Sequence, residues 1–412
     1  MQRAYEARIK SLENKLDSVQ KTQTKNAAAA KKAAPATSTR GVKDNSFNPS
    51  IGVILNGKAS SFSRGGAAEI AGFGVGEEGE RGQEGLAVDE SELNFSANID
   101  DKFTGSMTLA IVREGGADGV ELEEVYFQTL PDAGLPDGTR ITAGRKFWTL
   151  GYLNEQHAHA DDFADRPLPY RIYLNKAFND DGLEAAWVVP TDDLFVEFGG
   201  GIFRGADFPG GGANGGNDSW SAYARVGGDI GSDQSWRLGV YTLQGDVHSR
   251  ASNGDMVTFS GKSNLYAADL RYTWAPTGNA RESEVILQAE YFHRDEEGTY
   301  NDADAGTGTI AFDDDSSGFY AQGVYKFAPA WRAGVRYSKM FAPGTPAGLV
   351  GSALDADGHD PESVSVMLDW TNSEFGRLRG QYNREELSKN NVDHQFFLQY
   401  IMSFGAHGAH PY

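Results

Sequence analysis

The chain contains no cysteine. Disulfides and thiolate-held metals are thereby excluded, and stability must come from backbone pairing and packing. It also lacks any apolar run of 18 residues, so no transmembrane helix can be placed. Mean hydropathy is polar, at −0.48. Neither absence excludes a membrane protein built of strands. Each strand needs only one apolar face, and averaging along the sequence hides it. Met1 leads directly into a polar helical pattern with no visible secretory signal, which leaves two readings: a mature form, or a true start upstream. Positive charge is scarce too: 37 Lys/Arg stand against 58 Asp/Glu, a net charge of −21. The first 46 residues hold ten Lys/Arg and four Asp/Glu, so they carry +6 and the remainder −27. Such asymmetry marks two physically different regions. A body at −27 repels nucleic acid, which is set aside as a partner.

The basic region divides in two. Tyr5, Ile9, Leu12, Leu16 and Val19 are spaced four, three, four and three apart, an a/d heptad seam with charged residues around it. Three heptads are too few to hold a lone helix in water. Two readings fit: a self-associating, trimeric coiled coil over residues 1–20, or a single amphipathic helix docked on another surface. Residues 21–46 are rich in Ala, Lys and Thr, lack apolar periodicity, and read as a flexible basic linker.

From Asn48 the period changes to two. Leu93, Phe95, Ala97 and Ile99 share one face against Asn94, Ser96 and Asn98. Val364, Val366, Leu368 and Trp370 oppose Ser365, Met367 and Asp369, and Phe396, Leu398, Tyr400, Met402 and Phe404 form the last such face. Each is a half-buried strand pattern. Connections alternate in length. Short turns fall near Asp100-Asp101, Pro131–Gly138, Pro190–Asp193, Gly231–Ser235, Pro276–Glu282, Ala328–Ala330 and Asn372–Gly376. Between them lie Gly/Asp/Ser-rich loops, most of them long, at about 63–85, 114–119, 150–180, 204–218, 246–258, 295–316, 343–361 and 386–392. Sixteen strands result, with both ends of the barrel on the short-turn side. The fold class expected is all-β: a 16-stranded antiparallel transmembrane β-barrel over residues 47–412 with a short N-terminal coiled-coil helix. Aromatic residues recur at strand ends (Trp187, Trp220, Trp274, Trp331, Trp370), as the girdles of such barrels require.

The heptad segment, the linker, the strand count and the stretch Ala143–Phe147 leading into a long third loop resemble a known family. The chain is similar to the sixteen-stranded trimeric outer-membrane porins that carry a periplasmic coiled coil, a group that includes the phosphate-selective porins O and P. The resemblance is architectural, covers most of the chain and rests on no single diagnostic motif. It implies an outer-membrane location, a periplasmic N-terminus, a homotrimer in contact with lipid and lipopolysaccharide, and a third loop (about 150–181) folded into the pore. No dense lysine cluster suited to phosphate is present, so phosphate selectivity is not implied.

That loop carries acids Glu155, Asp161, Asp162 and Asp165 and bases Arg166, Arg171 and Lys176. If apolar positions face lipid, then Arg225, Arg237, Arg271, Arg332, Arg336, Arg377 and Arg379 face the lumen. A charge on the lipid face costs roughly 2–4 kcal/mol at mid-depth, which fixes the parity. An arginine wall facing an acidic loop would set a transverse field across the constriction, orienting dipolar solutes. The plainer reading is that these charges only pair and solvate the interior. His157 and His159, followed by Asp161, could bind a divalent metal, because H-x-H on a strand puts both rings on one face. The plainer reading is an ordinary polar loop. His407 and His410 in the tail raise the same question more weakly. No cofactor is implied. Glu77, Glu78, Glu80 and Glu84, with Asp302, Asp304 and Asp313–Asp315, make one mouth acidic; Ca²⁺ or Mg²⁺ bridging lipopolysaccharide is one reading and solvated loops the other. Gly74–Gly79 spells a dinucleotide fingerprint, but no strand–helix pattern surrounds it.

These features point to passive diffusion of small hydrophilic solutes or ions through a charged constriction. The alternative is a structural barrel whose N-terminal segment ties the outer membrane to peptidoglycan or another periplasmic partner. No serine stands in a spacing to histidine that would mark a nucleophilic enzyme, and residues 1–46 are too few to form the plug of an energised transporter.

Overall fold

A computed structural model describes residues 49–65, 69–114, 117–212 and 216–405. The heptad positions Tyr5, Ile9, Leu12, Leu16 and Val19, the linker, and His407 and His410 lie outside the described residues.

Seventeen strands follow one another: β1 (Ser50–Phe62), β2 (Gly85–Val88), β3 (Ser91–Asn98), β4 (Phe103–Glu114), β5 (Ala117–Thr129), β6 (Thr139–Phe147), β7 (Asn179–Val188), β8 (Phe195–Phe203), β9 (Ser219–Ile230), β10 (Gln234–Ser252), β11 (Val257–Trp274), β12 (Glu284–Asp302), β13 (Ile310–Ala328), β14 (Trp331–Phe341), β15 (Glu362–Ser373), β16 (Gly376–Ser388) and β17 (Asn391–Gly405). Each pairs antiparallel with its sequence neighbour, except that β2 and β3 both lie along β1. They share one place in the wall, interrupted at Asp89-Glu90, so the wall has sixteen positions. It closes where β1 meets β17, from Gly52 opposite Gly405 to Phe62 opposite Gln395. Closure removes the two free ends of the sheet, the condition a strand-built wall must meet in lipid.

Alternation sorts the faces. Val240 (58% exposed), Val335 (53%), Leu398 (54%) and Phe198 (49%) stand on the outer face. Aromatic rings crowd its turn-side rim, where Trp331 and Trp370 stack with centroids 6.2 Å apart. Polar residues face inward, among them Gln288, Glu290, Gln322, Arg336, Arg379 and Gln399, all buried.

The wall is uneven in height. Strands β10 to β13 run 19, 18, 19 and 19 residues, whereas β3, β6 and β8 run 8, 9 and 9. The long loops expected at 246–258 and 295–316 are therefore mostly strand, with hairpin tips at 253–256 and 303–309. Their polar composition concealed an inward face: Val247, Val257, Phe259, Tyr300 and Phe312 form a buried cluster with Leu349 and Leu354. The connections at 114–119 and 386–392 are likewise tight.

Among the described residues, loops L1 (63–65 and 69–84) and L3 (148–178) enter the barrel and pack together. Ile70, Phe73 and Val75 of L1 join Trp148, Leu150, Tyr170, Ile172, Tyr173 and Leu174 of L3 in one buried cluster with wall residues Phe203, Tyr241, Phe292 and Tyr320. The lumen thus holds an apolar core of its own.

Candidate functional site in the barrel lumen

Loop L3 is built to fold inward and stay there. Its two ends are stapled by Asn154, whose Nδ2 donates to the carbonyls of Trp148 (2.7 Å) and Phe178 (3.0 Å) and whose Oδ1 accepts the Phe178 N–H (2.6 Å). A seven-residue helix, α1 (Leu168–Leu174), follows Pro167, with Pro169 in its first turn. Asn175, with φ 50°, ends it in the left-handed conformation, and all seven residues are buried. Glu290 of β12 anchors the loop's start: it accepts the N–H groups of Tyr152 (3.1 Å) and Leu153 (3.2 Å) and the hydroxyls of Tyr170 (2.9 Å) and Tyr320. Gly151 permits that approach. At φ +76° it adopts a conformation that favours glycine, and a Cβ there would stand 2.2 Å from Glu290 Oε2.

The lumen wall is polarised. Glu92, Glu124, Glu184 and Glu197 project inward from β3, β5, β7 and β8. The seven arginines named from the sequence line β9 to β16. The loop matches this division. Its histidine stretch meets the acidic side; its aspartates meet the arginines. Arg225 contacts Glu155 (2.8 Å), Arg332 contacts Asp162 (2.9 Å), and Arg336 contacts Asp165 (2.8 Å). Arg379 donates to the Asp161 carbonyl and pairs with Asp369 at 2.9 Å. Arg377 donates to the His159 carbonyl. Arg237 pairs with Asp269 (2.9 Å), Arg271 donates to Gln288 (2.8 Å), and both guanidiniums lie over the Tyr152 ring. Arg166 closes onto Asp161 (2.7 Å) within the loop, and Arg171 onto Glu385 (2.9 Å) of β16.

This arrangement corrects one expectation. The acidic loop does not face the arginine wall across an aperture; it is docked on that wall through direct ion pairs. The reason is electrostatic. Seven inward arginines in a low-dielectric interior demand counter-charge, and the loop aspartates supply it at contact distance. Two of those aspartates sit in opposed surroundings. Burial pushes the Asp161 carboxyl up to about 7, against the pull of Arg166 and Arg379. Burial also raises Asp165, but Arg336 and the Gln381 amide outweigh it and hold that carboxyl below the usual range.

Space is left on the opposite side. A cavity of about 1450 Å³ lies beside L3, lined by Lys58, Arg81, Glu90, Glu123, Arg145 and Lys176 among others. Three of the acidic mouth residues serve the backbone. Asp302 accepts the N–H groups of Ala305 and Ala353 (both 3.0 Å), Asp314 that of Gly344 (2.8 Å), and Glu84 that of Phe62 (3.1 Å).

The histidine pair is also placed differently from the sequence expectation. His157 precedes, and His159 lies within, a 3₁₀ turn (Ala158–Ala160) rather than a strand. Their rings still stack, with centroids 5.6 Å apart. Asp161 is not their partner, because it is held by Arg166. The carboxylates beside them are Glu92 of β3 and Glu123 and Glu124 of β5. Sequence reasoning missed these acids and Glu290. The available signal was an inward carboxylate at an alternating strand position, where burial demands a partner.

No family model matches the chain. An uncharacterized protein of Aquifex aeolicus (strain VF5) is 24% identical over 364 residues, which cover 83% of this chain and 73% of that protein. Among solved structures, a loop-L8 deletion mutant of OmpT, an outer membrane protein of Vibrio cholerae, superposes with a TM-score of 0.53 at 12% identity. It covers 86% of this chain and 99% of its own. The outer membrane channel DcaP of Acinetobacter baumannii gives 0.52 at 11% identity, covering 86% and 97%. An anion-selective porin from Comamonas acidovorans gives 0.51 at 10%, covering 86% and 99%. At such identities the likeness is one of fold.

Proposed function

We propose that this protein is a porin-type channel of a bacterial outer membrane, passing small hydrophilic solutes or ions by passive diffusion. One observation carries the reading: a closed sixteen-position wall, apolar outside and charged inside, with its third loop folded into the lumen. An outer belt of Val, Leu and Phe is unfavourable in water and favourable in lipid. The route for solute is the cavity beside L3, where lysine, arginine and glutamate side chains interleave. Mixed charge of this kind holds water and small ions while disfavouring apolar solutes.

The proposal extends to location and assembly. Ser50 lies opposite Ser96, and Gly405 opposite Gly52, so both barrel ends fall on the short-turn rim. That rim is periplasmic in outer-membrane barrels, which supports a periplasmic N-terminal segment as part of this reading. The low wall of β3, β6 and β8 is the side suited to a neighbouring protomer, and residues 1–20 would bundle three copies into a homotrimer.

The test is single-channel conductance of the full chain in planar bilayers, with a salt gradient. Stepwise openings in threes support an open trimer, and the reversal potential reads the charge preference. A folded barrel without conductance overturns the channel reading. The packed core of L1 and L3 would then favour the second reading, a closed barrel that tethers the envelope. Deleting residues 1–46 should in that case loosen envelope attachment.

A further inference from the structure

Loop L3 carries His157 and His159 into the corner between β3 and β5. His157 Nδ1 lies 3.2 Å from Glu92 Oε2 and 3.2 Å from Glu123 Oε2. His159 Nδ1 lies 2.7 Å from Glu92 Oε1. One ligand atom from each of Glu92, His157 and His159 falls within 4.8 Å of the others, and the same holds for Glu90, Glu92 and Glu123. Glu92 and His159 are deeply buried, with side chains 4% and 6% exposed.

Two features distinguish this corner from an ordinary ion-pair cluster. First, His157 Nδ1 and Glu123 Oε2 are buried atoms that make no hydrogen bond, although they are 3.2 Å apart. They converge without the alignment a shared proton needs. Ligand atoms about 2.0 Å from a tetrahedral ion stand about 3.3 Å from one another, close to both 3.2 Å separations. Second, the other ring nitrogen is already provided for. His157 Nε2 lies 3.0 Å from Glu124 Oε2, and Glu124 Oε1 accepts the Phe147 N–H at 3.0 Å. A carboxylate on the far nitrogen orients the ring so that Nδ1 can ligate once a metal displaces its proton. Arg377 holds the His159 carbonyl from the opposite side. Four carboxylates, Glu90, Glu92, Glu123 and Glu124, thus surround two imidazoles.

We infer that Glu92, Glu123, His157 and His159 bind a divalent transition ion of the zinc class, clamping L3 to the β3–β5 wall. Imidazole nitrogens with carboxylate oxygens suit zinc, whereas calcium and magnesium take oxygen alone. The large cavity supplies a route, since Glu90, Glu123 and Ala158 line it. Asp161 takes no part, and Glu92 holds the place the sequence suggested for it. The inference does not depend on the channel reading.

The experiment is a zinc titration of the full-length protein in detergent, after chelator treatment, followed by calorimetry. One ion per protomer is expected. His157→Ala and Glu92→Gln should each weaken binding by about tenfold or more. A His407→Ala/His410→Ala variant should bind as the parent does. Zinc X-ray absorption on the unaltered protein covers the case in which a variant misfolds; it should report two imidazoles in the ligand shell. Binding no tighter than in a folded His157→Ala/His159→Ala variant, loss of binding on changing the tail histidines alone, or a shell without imidazole would each overturn the inference. Zinc binding by a barrel that does not conduct would remove the channel reading and leave this one standing.

Discussion

Arg336 of β14 donates to Asp165 twice, from Nη2 to Oδ1 at 2.8 Å and from Nη1 to the main-chain carbonyl at 2.7 Å. The two residues are 171 positions apart. The same guanidinium sits 4.6 Å over the Phe163 ring. One arginine of the wall therefore holds a side chain, a backbone group and an aromatic face of the inserted loop.

Arg336→Ala should leave the Asp165 charge buried without its cation, at a cost of about 3 kcal/mol or more. The expected outcome is a lower unfolding temperature in detergent and larger, noisier conductance steps. Adding Asp165→Ala to that variant should recover part of the loss, because the unpaired charge is removed.

Acid should release the same contact. The Asp165 carboxyl is held below its ordinary value, so its stabilising contribution is fully present above pH about 3.9 and is lost as pH falls through the lower folded value. Conductance should therefore rise below about pH 4 in the parent. Asp165→Asn should be open already at neutral pH and insensitive to acid in that window.

Glu290 accepts from four groups of L3 and β13, two of them hydroxyls. Glu290→Ala strands these buried donors, at roughly 1–3 kcal/mol each. Protease digestion of the purified barrel should then cut within residues 151–175, where the parent is resistant.

Gly151→Ala should act through the same anchor. The new Cβ would lie 2.2 Å from Glu290 Oε2 and 2.7 Å from the Tyr170 hydroxyl. Gly134→Ala supplies the control: its φ of +81° carries the same left-handed strain, but nothing stands within 4 Å. Only the first should expose L3 to protease.

Outward parity is tested at Leu398, 54% exposed on β17. Leu398→Arg should cost roughly 2–4 kcal/mol if that position faces the bilayer middle. The measurement is the folded fraction after refolding into lipid vesicles. Leu398→Phe should fold as the parent does.

Much of the wall was legible because strand patterning is local. The apolar face of Phe396, Leu398 and Tyr400 and the Pro/Gly/Asp turns gave the strand number and the inward side for Arg225 and Arg379. The rim was misjudged where composition outweighed periodicity. Gly, Asp and Ser at 246–258 and 295–316 resemble loop, yet Val257 and Phe259 already alternate with polar neighbours. The loop charges were visible, but not their partners. Nothing local tells Asp162 that Arg332 will meet it 170 residues later, or His159 that Glu92 waits 67 residues earlier.

The sequence by itself determined a strand-built chain with one apolar and one polar face, because the pleat turns each successive side chain to the opposite side. Tertiary structure decided which charges meet. Closing β17 onto β1 surrounds a single loop with β3, β5, β14 and β16. Within that enclosure desolvated charges must find partners. The loop therefore binds its aspartates to the arginines and its histidines to the glutamates, an outcome set by closure and register rather than by any local stretch of residues.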